Sequence, residues 1–122
     1  YAAWLTPQGR MLTDAVVLAE DDALTVELPA PLVDTLLRQL NAAIFAEDVV
    51  LADESAQWRM LGVHGARAAE VVARSLTGSR PSNAALTADH LAAWTEYMHA
   101  PLGAFGRLIG DATYGVPGFR LR

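Results

Sequence analysis

The sequence predicts an α+β fold in which helices cover one face of an antiparallel sheet. Three observations support this prediction. Apolar and polar residues alternate over residues 24–28, apolar residues recur at helical spacing over 31–44, and the predicted elements follow one another as β-β-α-β-β-α. Such an order gives either two repeats of hairpin plus helix or a split ferredoxin-like sheet.

The first half of the chain supplies strands, then a helix. Residues 1–5 are typical of a strand end and residues 10–19 of a full strand. The acidic turn at 20–22 predicts that this strand pairs with residues 24–28 as an antiparallel hairpin. Pro31 suits the first turn of a helix, where its missing N–H costs nothing.

The second half of the chain again predicts strands followed by a helix, and then a loop, a third helix and a hairpin. Residues 47–53 and 57–63 predict two strands, and residues 66–76 predict a helix. The composition of 78–85 is that of a loop, with Gly78 as a helix C-cap. Thr87 then predicts the N-cap of a third helix, which is expected to end near Ala100 because Pro101 follows. Residues 105–113 and 119–122 predict a terminal hairpin.

Composition and charge restrict the function. The 122 residues are 52% hydrophobic, contain no cysteine and carry a net charge of −5. Disulfides, thiolate catalysis and cysteine-based metal centres are therefore excluded within this stretch, and nucleic-acid binding is disfavoured. No apolar run reaches the roughly 18 residues of a membrane span. We expect a cytoplasmic protein without membrane partners, and we expect the chain, which starts and stops in strand-like sequence, to be part of a longer one.

Asp14 is the strongest functional candidate. The segment Thr6-Pro7-Gln8-Gly9 predicts a tight turn, with Pro7 at a position that favours φ near −65° and Gly9 where positive φ is accessible. The returning strand is apolar except at Asp14, and a carboxylate in such a strand must find donors or shift its pKa. The alternative is structural: Asp14 caps a neighbouring turn or faces water at a sheet edge.

The other polar residues give weaker signals. None of the three histidines lies at metal-ligand spacing from another, and Glu96 with His99 forms only one Glu-x-x-His, so no metal site is predicted. His64 lies where a strand meets a helix and could approach a ligand, with a local backbone contact as the alternative. No serine lies in a nucleophile elbow, and the sequence shows no Ser-His-Asp order typical of a catalytic triad.

Three segments resemble one family in their order along the chain. Residues 5–14 (Leu-Thr-Pro-Gln-Gly-Arg-Met-Leu-Thr-Asp) resemble the Leu-x-x-Gln-Gly-Arg-x-Leu-x-Asp segment of YgfZ-like folate-binding proteins, relatives of the glycine-cleavage T-protein (aminomethyltransferase). Residues 58–76 are similar to that family's strand–Gly-Pro-Lys/Arg-Ala–helix unit, and residues 114–121 to its Thr-Gly-Glu-x-Gly-Phe/Tyr-Glu-Ile/Leu hairpin.

This resemblance implies an architecture. In that family three subdomains form a ring around tetrahydrofolate, and a ferredoxin-like subdomain is inserted into another. Residues 6–77 would correspond to the inserted ferredoxin-like subdomain. Residues 78–122 would be the linker, helix and hairpin of the adjoining interrupted, T-protein-like subdomain. The Lys-Gly-Cys-Tyr-x-Gly-Gln-Glu motif of YgfZ-like proteins would fall after this chain.

The resemblance also implies a function. Asp14 would accept a hydrogen bond from a folate nitrogen, and Arg10 would favour the ionised carboxylate or meet the ligand's glutamate, with His64 and Tyr114 as pocket walls. T-proteins have a glutamate at the position of Val116, which argues against aminomethyl transfer. The expectation is a tetrahydrofolate-binding protein that assists iron–sulfur cluster assembly or repair, with iron–sulfur enzymes as its partners. The alternatives are a folate-dependent aminomethyltransferase and an interaction module with a vestigial pocket.

Overall fold

The chain folds as an α+β structure with two antiparallel sheets and few helices, as the sequence predicts at that level. The computed structural model describes residues 1–20, 22–77, 86–103 and 106–122. Its contacts divide the chain into two compact units, Tyr1–Gln57 and Trp58–Arg122.

The first unit begins with three antiparallel strands. These are β1 (Ala2–Leu5), β2 (Met11–Ala19) and β3 (Leu24–Glu27), which lie in the order β1-β2-β3. The predicted turn joins β1 to β2: Gly9 has a φ of 79°, and its N–H donates to the Thr6 carbonyl at 2.9 Å. The long strand β2 pairs with β1 through residues 11–15 and with β3 through residues 16–19, so each half of the strand has one hydrogen-bonded neighbour.

A helix completes the first unit. A 3-10 turn over Ala30–Leu32 contains Pro31 and leads into α1 (Val33–Ala43). Leu36 is buried, and the Trp4 indole N–H donates to the Gln39 side chain. The predicted amphipathic helix is thus present, and it begins two residues after Pro31 because the 3-10 turn precedes it.

The second unit combines a four-stranded sheet with two helices. Its elements are β4 (Leu61–His64), α2 (Ala68–Leu76), α3 (Ala88–Ala92), β5 (His99–Pro101), β6 (Arg107–Gly110) and β7 (Gly118–Leu121). The sheet order is β4-β7-β6-β5, and every neighbouring pair is antiparallel. The predicted terminal hairpin is therefore the pair β6–β7, and β4 pairs with β7 on its other edge.

The two faces of this second sheet differ in chemistry. Because side chains alternate along a strand, Phe119 and Leu108 point to the face that α2 and α3 cover. The core cluster there comprises Ala68, Val72, Leu86, Leu91, Leu108 and Phe119. The register pairs His64 with Gly118 and Gly62 with Arg120, which places these residues on the opposite face. One face therefore provides the core, and the other carries the polar residues of the site.

One predicted strand is wrong. Residues 47–53 form no strand, and Val49 and Val50 are exposed. The Glu47 carboxylate accepts hydrogen bonds from the backbone N–H groups of Phe45 and Ala46, and the Asp53 carboxylate accepts one from Ser55. These local bonds satisfy backbone groups without a partner strand, which is how short acidic side chains favour turns over ladders. From β2 to α2 the described order is therefore β-β-α-β-α, preceded by β1.

The third helix is shorter than predicted. Its N-cap is correct, since the Thr87 hydroxyl accepts from the His90 N–H at 3.2 Å, but α3 ends at Ala92. Tyr97 has a φ of 67°, which reverses the chain, and residues 99–101 pair with β6 instead of continuing the helix. Pro101 suits the end of this edge strand, where no ladder N–H is required. Strand pairing has overridden helix propensity here.

The subdomain boundary that the resemblance implies, between residues 77 and 78, stays a prediction. The division into compact units falls between Gln57 and Trp58. β4 and α2 consequently share a core with the later strands, because β4 is hydrogen-bonded to β7. The predicted loop at 78–85 and the predicted C-cap Gly78 lie outside the described residues.

Leu108→Ala should strongly destabilise the second unit. Leu108 is 0% exposed in the core cluster, so truncation removes buried contacts and leaves a cavity, at a cost of about 2–5 kcal/mol. The measurement is urea unfolding followed by circular dichroism. Leu61→Ala is the matched control in the same sheet, because Leu61 is 63% exposed, and its effect should stay below about 1 kcal/mol. Equal losses in the two variants would contradict the described core.

Candidate functional site

His64 occupies the last position of β4, directly opposite Gly118 on β7. Its imidazole lies over the place where a side chain at 118 would stand: a Cβ added to Gly118 would come within 2.2 Å of the His64 Cδ2 atom. The same Cβ would lie 2.9 Å from the Asp111 carbonyl oxygen. Glycine at 118 is therefore required for the close approach of the His64 ring to the sheet.

Asp111 follows β6 and is 5% exposed. Its Oδ1 accepts a hydrogen bond of 2.9 Å from the Thr113 backbone N–H and a second bond from the Thr113 hydroxyl. This is the local turn that aspartate forms with the residue two positions on. The turn fixes the carboxylate at the start of the β6–β7 connection.

The second carboxylate oxygen of Asp111 gathers two further side chains. Its Oδ2 lies 3.1 Å from the His64 Nε2 and 3.2 Å from the Arg120 Nε. The side chains of His64 and Arg120 are 18% and 17% exposed. One buried carboxylate thus connects the end of β4, the middle of β7 and the loop after β6.

These contacts determine the ionisation of Asp111. Burial alone would raise the pKa of this carboxyl group, because it disfavours the charged form. The hydrogen bonds from Thr113, the hydrogen bond with His64 and the positive charge of Arg120 act in the opposite direction and together hold the pKa of Asp111 below its ordinary value. Asp111 is therefore a carboxylate at neutral pH.

Tyr114 completes the cluster on the solvent side. Its ring meets the His64 ring edge to face, with centroids 4.8 Å apart and an angle of 86° between the planes. Tyr114 itself is 72% exposed. Because Asp111 engages Nε2 of His64, the imidazole is oriented, and Nδ1 is the ring nitrogen that does not contact Asp111. The cluster therefore contains an oriented histidine beside an exposed aromatic ring.

Asp14 lies in the first unit, half-buried on the central strand β2. Its Oδ2 accepts a hydrogen bond of 2.5 Å from the Tyr1 hydroxyl, and its backbone pairs with Ala3 across β1. Arg10 is exposed at the end of the turn, and no ion pair between Arg10 and Asp14 occurs in the described parts of the chain. Its backbone N–H donates to the Thr6 hydroxyl at 3.2 Å.

The structure brings together His64 and Tyr114 in one unit and places Asp14 and Arg10 in the other. Sequence reasoning missed Asp111 and Arg120. A usable signal was present, because Asp111 directly follows the apolar strand Arg107–Gly110 and precedes a threonine two residues on. Asp14 has a related pattern, but it lies within its strand, whereas Asp111 follows the end of β6.

The described residues contain no cluster of three or more histidine, cysteine, aspartate or glutamate side chains that could ligate a metal ion. Over the same residues, the helices lack the combination of length and apolar character needed to cross a membrane.

Comparison with known proteins identifies no relative. No protein-family model, no curated protein and no solved structure matches this chain.

Asp111→Asn should destabilise the second unit and change how its stability depends on pH in the acid range. The substitution leaves Arg120 without its buried counter-charge, at a cost of about 3 kcal/mol at pH 7. Because the folded-state pKa of Asp111 is lowered, its stabilisation is present above the unfolded pKa of about 4 and is lost as the pH falls through the folded value. Unfolding by urea between pH 7 and pH 2 measures both effects.

In this experiment the stability of Asp111→Asn should fall less steeply below pH 4 than that of the original protein. Asp89→Asn is the control, because Asp89 is an exposed residue of α3 in the same unit. If the stability of Asp111→Asn fell as steeply below pH 4 as that of the original protein, protonation of Asp111 would not contribute to the loss of stability in acid.

Gly118→Ala should destabilise the same unit by about 2 kcal/mol or more, because the new methyl group collides with the His64 ring. The second variant, His64→Ala combined with Gly118→Ala, should recover part of that loss because the ring is gone. Urea unfolding of the single and double variants measures the coupling between the two positions. Strictly additive losses would contradict the close packing of His64 on Gly118.

Proposed function

We propose that this protein binds tetrahydrofolate in the manner of YgfZ-like proteins and assists the assembly or repair of iron–sulfur enzymes in the cytoplasm. The proposal is supported by three segments, residues 5–14, 58–76 and 114–121, which resemble segments of that family and occur in the family's order. Tetrahydrofolate is the cofactor implied, and iron–sulfur enzymes are the partners.

The position of Asp14 is the observation on which the proposal depends. The residue is half-buried on β2, four positions after Arg10 and behind a turn ordered by Gly9. An ionised carboxylate offers about four acceptor positions, and the Tyr1 hydroxyl uses one of them. The remaining capacity fits the N–H donors of a reduced pterin ring, so the chemistry of this side chain suits the ligand. Arg10, exposed at the end of the turn, suits a carboxylate of the ligand's glutamate.

His64 and Tyr114 are proposed as wall residues of the folate site. The edge-to-face contact between their rings gives a small aromatic surface, and Asp111 holds the imidazole in place. A flat ligand could pack against such a surface. This part of the proposal is independent of Asp14, because the two groups lie in different units.

The proposal includes a finer assignment of the fold. Residues 6–77 would be a ferredoxin-like subdomain, and residues 78–122 would be the linker, helix and hairpin of an adjoining T-protein-like subdomain. The hairpin β2–β3 followed by α1, and β4 followed by α2, support this assignment. The absence of a strand at 47–53 is a departure from the ferredoxin-like order within the described residues.

A folate-dependent aminomethyltransferase is the competing function. In that case Asp14 would stabilise positive charge that develops near a folate nitrogen. Val116 weighs against it, because T-proteins have a glutamate at this position, and valine offers the pterin no acceptor. Losing such an acceptor leaves ligand donors unpaired at a cost of about 1–3 kcal/mol. Binding without transfer is therefore the preferred function.

Calorimetric titration of the protein with tetrahydrofolate tests the proposal. Asp14→Asn keeps the size of the side chain but removes its charge, and the dissociation constant should rise about 10-fold or more because a charge-assisted hydrogen bond is lost. Asp48→Asn is the control, because Asp48 is an exposed residue of the same unit, and it should bind like the original protein.

Two results would contradict this assignment. Equal affinities of the original protein and Asp14→Asn would remove Asp14 from the site. No binding of tetrahydrofolate by either protein would support an interaction module with a vestigial pocket. Incubation of the same samples with an aminomethyl donor separates the enzyme from the binder, since the transferase predicts formation of a methylene-folate product.

A further inference from the structure

Met60, directly before β4, contacts the buried ion pair of the candidate site. The residue is 53% exposed. Its Sδ atom accepts a hydrogen bond of 3.8 Å from the Arg120 Nη1 atom, and the Nε atom of the same guanidinium lies 3.2 Å from the Asp111 carboxylate. An exposed thioether therefore touches a guanidinium whose own side chain is largely buried.

The strand register accounts for this contact. Arg120 lies directly opposite Gly62, and Met60 and His64 stand two positions before and after that glycine. Asp111, the carboxylate partner of Arg120, also contacts His64. The Arg120 side chain is thus placed between a thioether at one nitrogen and a carboxylate at another.

A thioether is a poor match for a guanidinium. Its sulfur is only a weak acceptor, whereas a guanidinium has five N–H donors and forms its strong hydrogen bonds with polar or charged oxygens. Oxidation of methionine to the sulfoxide places a polar oxygen on this sulfur. At Met60 that oxygen would be bonded to an atom 3.8 Å from the Arg120 Nη1, and so within reach of a hydrogen bond. The oxidised side chain therefore suits Arg120 better than the reduced one.

The other two methionines of the chain have different surroundings. The Met98 sulfur accepts a hydrogen bond from the Thr95 backbone N–H at 3.3 Å. Met11 is an exposed residue at the start of β2, in the first unit. Among the contacts that the structure describes, the guanidinium at its sulfur distinguishes Met60.

We propose that Met60 is a reversible oxidation site for hydroperoxides and that the Arg120 guanidinium holds its sulfoxide. A lone pair of the sulfur attacks one oxygen of hydrogen peroxide and the O–O bond breaks. The leaving hydroxide takes the proton of the transferred oxygen, so the sulfur loses two electrons and the peroxide is reduced to water. A methionine sulfoxide reductase reverses the step. The proposal does not rest on folate binding, because neither Met60 nor Arg120 belongs to the proposed folate site.

Oxidation at this position should stabilise the second unit. Sulfoxides usually disrupt apolar cores, because they introduce a polar atom among buried side chains. Met60 is exposed, so its new oxygen is not forced into a core, and it gains a charged hydrogen-bond donor in Arg120.

A variant of the whole chain in which Met60 is the sole methionine of residues 1–122 tests the proposal. It carries Met11→Leu and Met98→Leu, is treated with hydrogen peroxide, and is analysed by peptide mapping with mass spectrometry. Met60 should be converted to the sulfoxide in the folded protein. The equilibrium constant for urea unfolding should then fall about fivefold, because one hydrogen bond to a charged donor is gained. Reductase treatment should restore the original constant.

The matched control keeps Met11 and carries Met60→Leu and Met98→Leu. Its oxidation should change the unfolding constant by less than about twofold, as is usual for a surface change. Nuclear magnetic resonance of the ¹⁵N-labelled proteins gives a direct measurement: the side-chain resonance of Arg120, assigned with Arg120→Lys, should shift when Met60 is oxidised and stay in place when Met11 is.

Three results would each overturn the proposal. The first is a Met60 that peroxide leaves reduced in the folded protein while Met11 is oxidised in the control. The second is an unfolding constant that oxidation of Met60 leaves unchanged or raises. The third is an Arg120 resonance that does not move when the sulfoxide forms.

Discussion

The second unit depends on a single buried carboxylate. Asp111 is 5% exposed, and a charge so placed is tolerated only when other groups compensate for its lost hydration. Thr113 satisfies one oxygen from within the loop, while His64 and Arg120 approach the other from two different strands. Because these three partners come from separate segments, Asp111 ties the β6–β7 connection to β4 and β7.

That arrangement explains other features of the sequence. The His64 ring can reach Asp111 only across Gly118, where any Cβ would collide with the imidazole. Gly110 has a similar role, since a Cβ there would lie 2.5 Å from the Thr95 carbonyl oxygen. These glycines allow close backbone and ring approach next to the buried charge, so the loop, the turn after α3 and the sheet are packed as one arrangement.

The two units present different kinds of site. In the first, Asp14 stands on a central strand with a tyrosine hydroxyl as its hydrogen-bond donor, and it keeps acceptor capacity for a ligand. In the second, the polar face of the sheet holds an oriented histidine beside the ring of Tyr114. The first group is thus a carboxylate with a hydroxyl donor, and the second is an aromatic pair beside a buried carboxylate.

The sequence by itself determined the features that local chemistry controls. These include the α+β class, the turn at Thr6–Gly9, the β2–β3 hairpin, the start of α3 at Thr87 and the pairing of the last two strands. Each depends on residues close in sequence, such as a proline, a glycine, a capping hydroxyl or an alternating strand, whose preferences act before any tertiary contact forms.

Only the tertiary structure decided the rest. Residues 47–53 look like a strand but find no partner, and residues 99–101 leave a helical pattern because β6 offers them a ladder. Asp111, His64 and Arg120 are distant in sequence, and their meeting follows from the strand order β4-β7-β6-β5. Pairing between remote segments depends on which strand edges and side chains meet in the folded chain. No local periodicity encodes that information.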